Sequence, residues 1–355
     1  MLLDGLFLPL TTPFYLDGRL NLRKLEHNVD RYSKTPAAGF AVLSEHGDPT
    51  LLTEQETRDA LHVAISAAIP EKVMLAGISR DSVLATLELA DYAAGLSYDA
   101  VLVGVPTMLR GAAKAGEAKE LLTYFQSVAD RSPLPVLLAS SAAGAISSEV
   151  VIELSNHPNI LGLVDGDDAS QVAERITQLK VATESVKRDV TVTTIFAAVT
   201  SRMLALRDTS AGLTFISADT LTDGATALAV APPKAGLRTR TKTVGFQILA
   251  GSTSSMLAAL KAGAAGVMPP FGASAPQGCH EVLAAWKDGD EALAEIKQTR
   301  VLAAAEQIEG QLGSAGIRYG CDLNGYFGGR PRLPLLPVDG EQRAEIDKLM
   351  QGIRN

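Results

Sequence analysis

Val73-Met74-Leu75-Ala76-Gly77 and Ala100-Val101-Leu102-Val103-Gly104-Val105 are two short apolar runs, and the segment between them, Ser82–Ala94, has helical periodicity. An unbroken apolar run has no polar face to turn to solvent, which is what a parallel strand covered on both sides requires. The same strand–helix–strand unit repeats outward in both directions. Further strands are predicted near Leu6–Thr11, Gly39–Leu43, Pro135–Leu138, Ile160–Val164, Phe246–Ala250 and Gly266–Met268. Helical segments are predicted near Leu20–Tyr32, after Thr53, and near Gly116–Asp130, Ser147–Asn156, Ser170–Glu184, Thr253–Ala262 and Gln277–Lys287. Thr53-Glu54-Gln55-Glu56 places an N-cap threonine three residues before a glutamate, the capping-box spacing. Eight strand–helix pairs predict an α/β chain folded as a (β/α)8 TIM barrel. An open doubly wound sheet is the alternative, weakened because no strand ends in a G-x-G-x-x-G turn.

The repeat is interrupted once. From about Val186 to Gly245 two β-branched apolar runs, VTVTTIFAAV and GLTFISA, and a basic stretch, APPKAGLRTRTK, stand between the sixth helix and the seventh strand. A helix-to-strand connection emerges on the bottom of a barrel, away from the usual active face, so the insertion reads as a decoration or subunit contact. A flap or partner site is the sharper alternative. Its cluster Lys234, Arg238, Arg240 and Lys242 has no interleaved aromatics and reads as solvated. The expected organisation is a barrel over residues 1–290, with the insertion at about 186–245, and a C-terminal helical extension over residues 291–355. The extension carries a Gly/Pro-rich break at Tyr326–Pro334.

With 40 acidic and 32 basic residues the formal net charge is −8, which argues against a nucleic-acid or anionic-membrane binder. The two cysteines, Cys279 and Cys321, do not make a disulfide framework or a four-thiolate zinc site. No apolar run is long enough to span a bilayer and the start carries no signal-peptide pattern, so a cytoplasmic protein is expected.

Several stretches, in this order, resemble the dihydrodipicolinate synthase / N-acetylneuraminate lyase family of (β/α)8 aldolases. They are Leu10-Thr11-Thr12-Pro13-Phe14 with Asp17-Gly18, Gly47 through Pro49-Thr50 with Leu52-Thr53-Glu54-Gln55-Glu56, His157-Pro158-Asn159-Ile160-Leu161-Gly162, Phe246–Gly251, Ala262–Val267 and Gly328–Pro337. Only the insertion is unmatched. The resemblance implies a lyase of the keto-acid aldol or retro-aldol class, a small carboxylate or keto acid as ligand, and a homo-oligomer; it implies no cofactor.

The catalytic positions depart from that family. Its chemistry uses a lysine at the end of strand six in the pattern G-[IL]-K-[DE], and here Gly162-Leu163-Val164-Asp165 puts a valine in the lysine position. A Schiff base needs a nucleophilic nitrogen, which valine lacks. The family's tyrosine pattern Y-N-x-P falls on Ala139-Ser140-Ser141-Ala142, and the arginine that follows it has no counterpart in Ala142-Ala143-Gly144-Ala145. Its G-T-T-G-E loop reads Ser44-Glu45-His46-Gly47-Asp48. Among other lysines, Lys72 and Lys261 are expected low on the barrel, while Lys114 and Lys119 follow strand four and read as solvated.

The strand ends nevertheless predict a polar rim. His46, Glu45 and Asp165 are the candidate catalytic residues, with His46 a general acid or base. Thr11, Thr12, Ser44, Gly47, Asp48, Arg80, Ser140, Ser141, Val164 and Ser252 are the candidate substrate-binding residues. Ser79, Asp81, Thr107, Arg110, Asp167, Asp168 and Thr253 complete the rim, with Arg80 or Arg110 able to take a carboxylate. A divalent metal on Glu45, His46, Asp165 and Asp168 is a secondary possibility without a compact spacing motif, and no metal is assigned. Three functions are therefore weighed: a diverged binder of a small carboxylate with altered or lost catalysis, a lyase with a different mechanism, and an interaction protein acting through its insertion.

Overall fold

The structure is a computed structural model that describes residues 1–110, 117–166, 170–210 and 237–353. Lys114, Asp167, Asp168, Lys234 and the run Gly212–Ala218 lie outside the described residues. Eight parallel strands close into a barrel: β1 (Gly5–Pro9), β2 (Gly39–Val42), β3 (Val73–Gly77), β4 (Ala100–Gly104), β5 (Val136–Ser141), β6 (Ile160–Gly166), β9 (Gln247–Ala250) and β10 (Gly266–Val267). β10 returns to pair with β1, so the ring is complete. Each strand coincides with a predicted apolar run to within a few residues. The interleaved helices are α1 (Leu22–Ser33), α2 (Glu54–Ala67), α3 (Val83–Gly95), α4 (Glu117–Arg131), α5 (Ser148–Ser155), α6 (Val172–Ala182), α8 (Met256–Lys261) and α9 (Pro276–Lys287). The capping box at Thr53 forms as its spacing predicts: Thr53 Oγ1 accepts from Glu56 N at 3.2 Å and Thr53 N donates to Glu56 Oε2 at 3.0 Å.

Strand parity sorts the side chains into two cores. Phe7, Ala41, Leu75, Leu102, Leu137, Val164, Leu249 and Met268 fill the barrel, while Leu8, Phe40, Met74, Val101, Leu138, Leu163 and Ile248 face the helices. The barrel is thus a packed interior and not a pore, and a ligand must sit above it, at the C-terminal ends of the strands.

Between α6 and β9 the insertion supplies a two-stranded antiparallel sheet, β7 (Arg188–Thr193) with β8 (Thr239–Val244), and a helix, α7 (Ser201–Ser210). Its contacts lie at the N-terminal ends of the barrel strands. Thr200 Oγ1 donates to Pro70 O at 2.5 Å, Ser201 N donates to Asp99 Oδ1 at 2.7 Å, and Arg202 donates to Ala68 O and Lys72 O at 2.7 and 2.6 Å. Arg240 is exposed and stands 5.6 Å over the Phe196 ring; Arg238 is exposed and Lys242 half-buried on the same hairpin.

After the barrel come α10 (Glu291–Ala305), a π-helical turn at Glu306–Gln311, α11 (Gly313–Leu323) and α12 (Gly340–Met350). These helices reach back over the mouth. Arg332 in the break between α11 and α12 donates to Gly18 O, Leu51 O and both carboxylate oxygens of Glu56 at 2.5–2.7 Å, and lies 4.6 Å over the Phe14 ring. One side chain so ties the tail to the loop after β1 and to the cap of α2. Both cysteines are free and buried.

Candidate functional site

The loop after β2 is the most contorted backbone at the mouth. Leu43 (φ 58°) and Asp48 (φ 52°) both take left-handed conformations and flank a single 3-10 turn, Glu45–Gly47. A buried leucine pays a steric cost there, so the surroundings must hold it. Gly77 at the end of β3 shows how: a Cβ on it would lie 2.0 Å from Leu43 O, so only glycine lets the turn pack that close.

The turn carries five predicted residues into different roles. Ser44, Glu45 and His46 line a cavity of about 500 Å³ at the C-terminal mouth. Ser44 Oγ is buried in its wall with no hydrogen-bond partner among the described residues. Burial pulls the His46 imidazole below its usual 6.5, against the opposing pull of the carboxylates of Glu309, Glu45 and Asp48. Gly47 and Asp48 face away from the cavity. Gly47 O accepts from Thr12 Oγ1 at 2.6 Å, and Asp48 Oδ2 accepts from Arg318 Nη2 at 2.6 Å and Ser314 Oγ at 2.9 Å. Thr11 and Thr12 are buried and do not line the cavity either. Thr12, Gly47 and Asp48 are scaffolding for the turn.

Of the other predicted residues, Arg80, Ser140, Ser141, Val164 and Ser252 do line the cavity. Arg80 is committed: it donates to Glu54 Oε1 at 2.8 Å, Ser79 O at 2.9 Å and Thr57 Oγ1 at 3.1 Å. Ser140 Oγ accepts from Ile146 N at 2.8 Å, which folds the short loop after β5 inward. Val164 forms part of the apolar floor with Leu102, Ala139 and Met268. Asp165 follows Val164 and strand alternation turns it the other way. Its carboxylate stands 3.4 Å from Arg175 Nε of α6, so it belongs to the helical layer and not to the mouth. Glu45 and His46 therefore have no third partner in Asp165.

Asp81 accepts from Thr107 N and Thr107 Oγ1 at 2.5 Å each, and these bonds hold its carboxyl below the usual range. Two cavity residues come from the C-terminal extension and have no signal in the strand pattern. Glu309, in the π-helical turn, accepts from Thr253 N and Phe271 N at 3.0 Å each, from Ser252 Oγ at 3.3 Å and from Thr253 Oγ1. One carboxylate thereby fixes the loops after β9 and β10, and Gly310 beside it closes the wall. Among the described residues no lysine lines the cavity. Lys72 Nζ donates to Thr35 O and Ala37 O at 2.7 Å each, Lys261 pairs with Glu295 at 2.8 Å, and Lys119 is exposed on α4. Nor is any group of three His, Cys, Asp or Glu placed to hold a metal ion, or any helix long and apolar enough to cross a membrane, among those residues.

The chain is 22% identical over 352 residues to a 4-hydroxy-tetrahydrodipicolinate synthase of Acidiphilium cryptum (strain JF-5), covering 98% of both proteins. It is 32% identical over 171 residues to an L-threo-3-deoxy-hexylosonate aldolase of Hypocrea jecorina, a match spanning 44% of this chain and 52% of that protein. Among solved structures it resembles a dihydrodipicolinate synthase of Bacillus anthracis with a TM-score of 0.74 at 18% identity, covering 99% of each chain. A prophage protein of E. coli K12 from the dihydrodipicolinic acid synthase family, solved in complex with pyruvate, gives a TM-score of 0.74 at 21% identity, again over 99% of each chain. The model of the dihydrodipicolinate synthetase family matches residues 2–189 and 235–353, passing over most of the insertion. Matched on both sides of that insertion, from the first strand to the last helix, the chain belongs to the dihydrodipicolinate synthetase family.

Proposed function

We propose that the chain is a diverged member of its family that binds a small carboxylate or keto acid in the mouth of the barrel without forming a Schiff base, its aldol or retro-aldol chemistry altered or lost. The observation that carries this is Val164. Its aliphatic side chain stands on the cavity floor, 4% exposed, and no described lysine reaches that space. Covalent capture of a carbonyl needs an unprotonated amine next to it, and an isopropyl group supplies none. Small-molecule binding is supported by the size of the cavity, which falls within the usual range for ligand pockets, and by its apolar floor under a polar wall. A lyase acting through a metal has less support, because Asp165 is turned away from Glu45 and His46.

The test is reductive trapping. Incubation with pyruvate and borohydride is expected to leave the intact mass unchanged, whereas V164K, with an amine lowered in pKa by the apolar floor, gains a stable adduct. An adduct on the wild-type chain overturns the proposal. By family resemblance we also infer a cytoplasmic homo-oligomer; light scattering behind size exclusion that returns the mass of one chain would contradict the assembly.

A further inference from the structure

Two arginines line the cavity, and they differ in what their nitrogens are doing. Arg80 has all three engaged, as described. Arg110, six residues beyond the end of β4, donates from Nε to Val105 O at 3.0 Å, and its two Nη groups have no partner among the described residues. The Nε bond orients the guanidinium plane and leaves its fork available. What makes room for it is the short loop after β5. A Cβ on Gly144 would lie 3.1 Å from Val105 Cβ, 3.3 Å from Arg110 Nε and 3.4 Å from Arg110 Cγ, so a larger residue would have to shift Val105, the arginine or both. Two of the three lining carboxylates are already occupied, Asp81 by Thr107 and Glu309 by Ser252, Thr253 and Phe271, and the third, Glu45, is exposed. Arg110 contributes to holding Asp81's carboxyl down, behind the bonds from Thr107, but makes no ion pair with it.

We propose that Arg110, seated against Gly144, is the carboxylate anchor of this cavity, and that the ligand is a monocarboxylate whose aliphatic end lies on the floor formed by Leu102, Ala139, Val164 and Met268. This rests on the reading of the mouth as a noncovalent small-carboxylate site and names what that site selects. A planar guanidinium with two free N–H-bearing ends matches one carboxylate bidentately. The wall offers no second uncommitted cation among the described residues, and the floor offers only hydrocarbon. A second carboxylate on the ligand would be buried against that floor without a partner, which is costly.

The experiment is calorimetric titration of the full chain with 2-oxobutanoate, 2-oxopentanoate, 2-oxohexanoate and 2-oxoglutarate. Affinity should rise about three- to fourfold for each added methylene, and 2-oxoglutarate should bind at least about tenfold more weakly than 2-oxopentanoate. R110Q should lose about 10- to 100-fold for every acid. R110K should lose part of that, because a point charge replaces the fork. G144V should lose affinity as R110Q does while leaving the slope with chain length in place. Melting curves of all three variants show that they fold. R110Q binding like the wild type, or 2-oxoglutarate matching 2-oxopentanoate, overturns this assignment and leaves the cavity reading standing. A wild-type chain that binds none of the acids overturns both.

Discussion

Replacing Arg318 with methionine removes one partner of a buried pair and leaves the other in place. Arg318 is 1% exposed and its Nη2 donates to Asp48 Oδ2 at 2.6 Å. Its Nη1 donates to Thr12 O at 2.7 Å and Gly328 O at 3.0 Å, and its guanidinium lies 5.3 Å over the Phe14 ring. After R318M the Asp48 carboxylate keeps only the Ser314 hydroxyl, and two backbone carbonyls lose a donor. Breaking a buried pair in this way costs about 3–5 kcal/mol. With an unfolding entropy of about 2.1 cal/mol/K per residue over 355 residues, the loss corresponds to about 4–7 °C in melting temperature. Circular dichroism melts check it. The double variant D48N/R318M removes the stranded charge and should recover at least half of the loss, because asparagine also tolerates the left-handed backbone at position 48. An R318M chain that melts within about 1 °C of the wild type, or a double variant whose loss is the sum of the single ones, refutes the reasoning.

Acid should expose the Glu56–Arg332 pair. Hydrogen bonds and charge from Arg332 hold the Glu56 carboxyl down to about 2 from its usual 4.5, so its contribution is complete above pH 4.5 and is lost as the pH falls through 2. That contribution is at most about 3 kcal/mol, and roughly half that once solvent screening is allowed for; urea titrations at pH 6, 4, 3 and 2 should show the wild-type advantage over E56Q shrinking with pH, and a constant gap contradicts it. Glu309→Gln replaces a carboxylate oxygen that accepts hydrogen bonds with an amide that cannot. It should leave at least one buried N–H unpaired and destabilise by about 1–3 kcal/mol, with weaker carboxylate binding; an unchanged melt and affinity would show that the carboxylate does not hold the loops.

The barrel was legible because each strand is covered on both sides and so reads as a continuous apolar run, and because Thr53 and Glu56 announce the start of α2. The mouth was legible only in part. Taking strand ends as a list of polar residues put Asp165 beside Glu45 and His46, although alternation from Val164 already assigns it the opposite face. Thr11, Thr12 and Asp48 are buried and do not line the cavity, and Thr12 and Asp48 hold the turn instead. Glu309 and Arg318 carried no readable signal, because a charged residue on a helix is ordinarily solvated and its partner lies 56 or 270 positions away. Arg110 was one of two candidates; only the geometry separates the arginine that is spoken for from the one that is available.

The extension's grip on the mouth also has an order in time. Glu309, Arg318 and Arg332 are all synthesised after β10, so every strand of the barrel exists before these three residues that fasten its loops. The extension's helices also bury Val301, Ile308, Ile317 and Ile346 in the core that wraps the strands, so the outer layer and the entrance are both finished only when the tail has emerged.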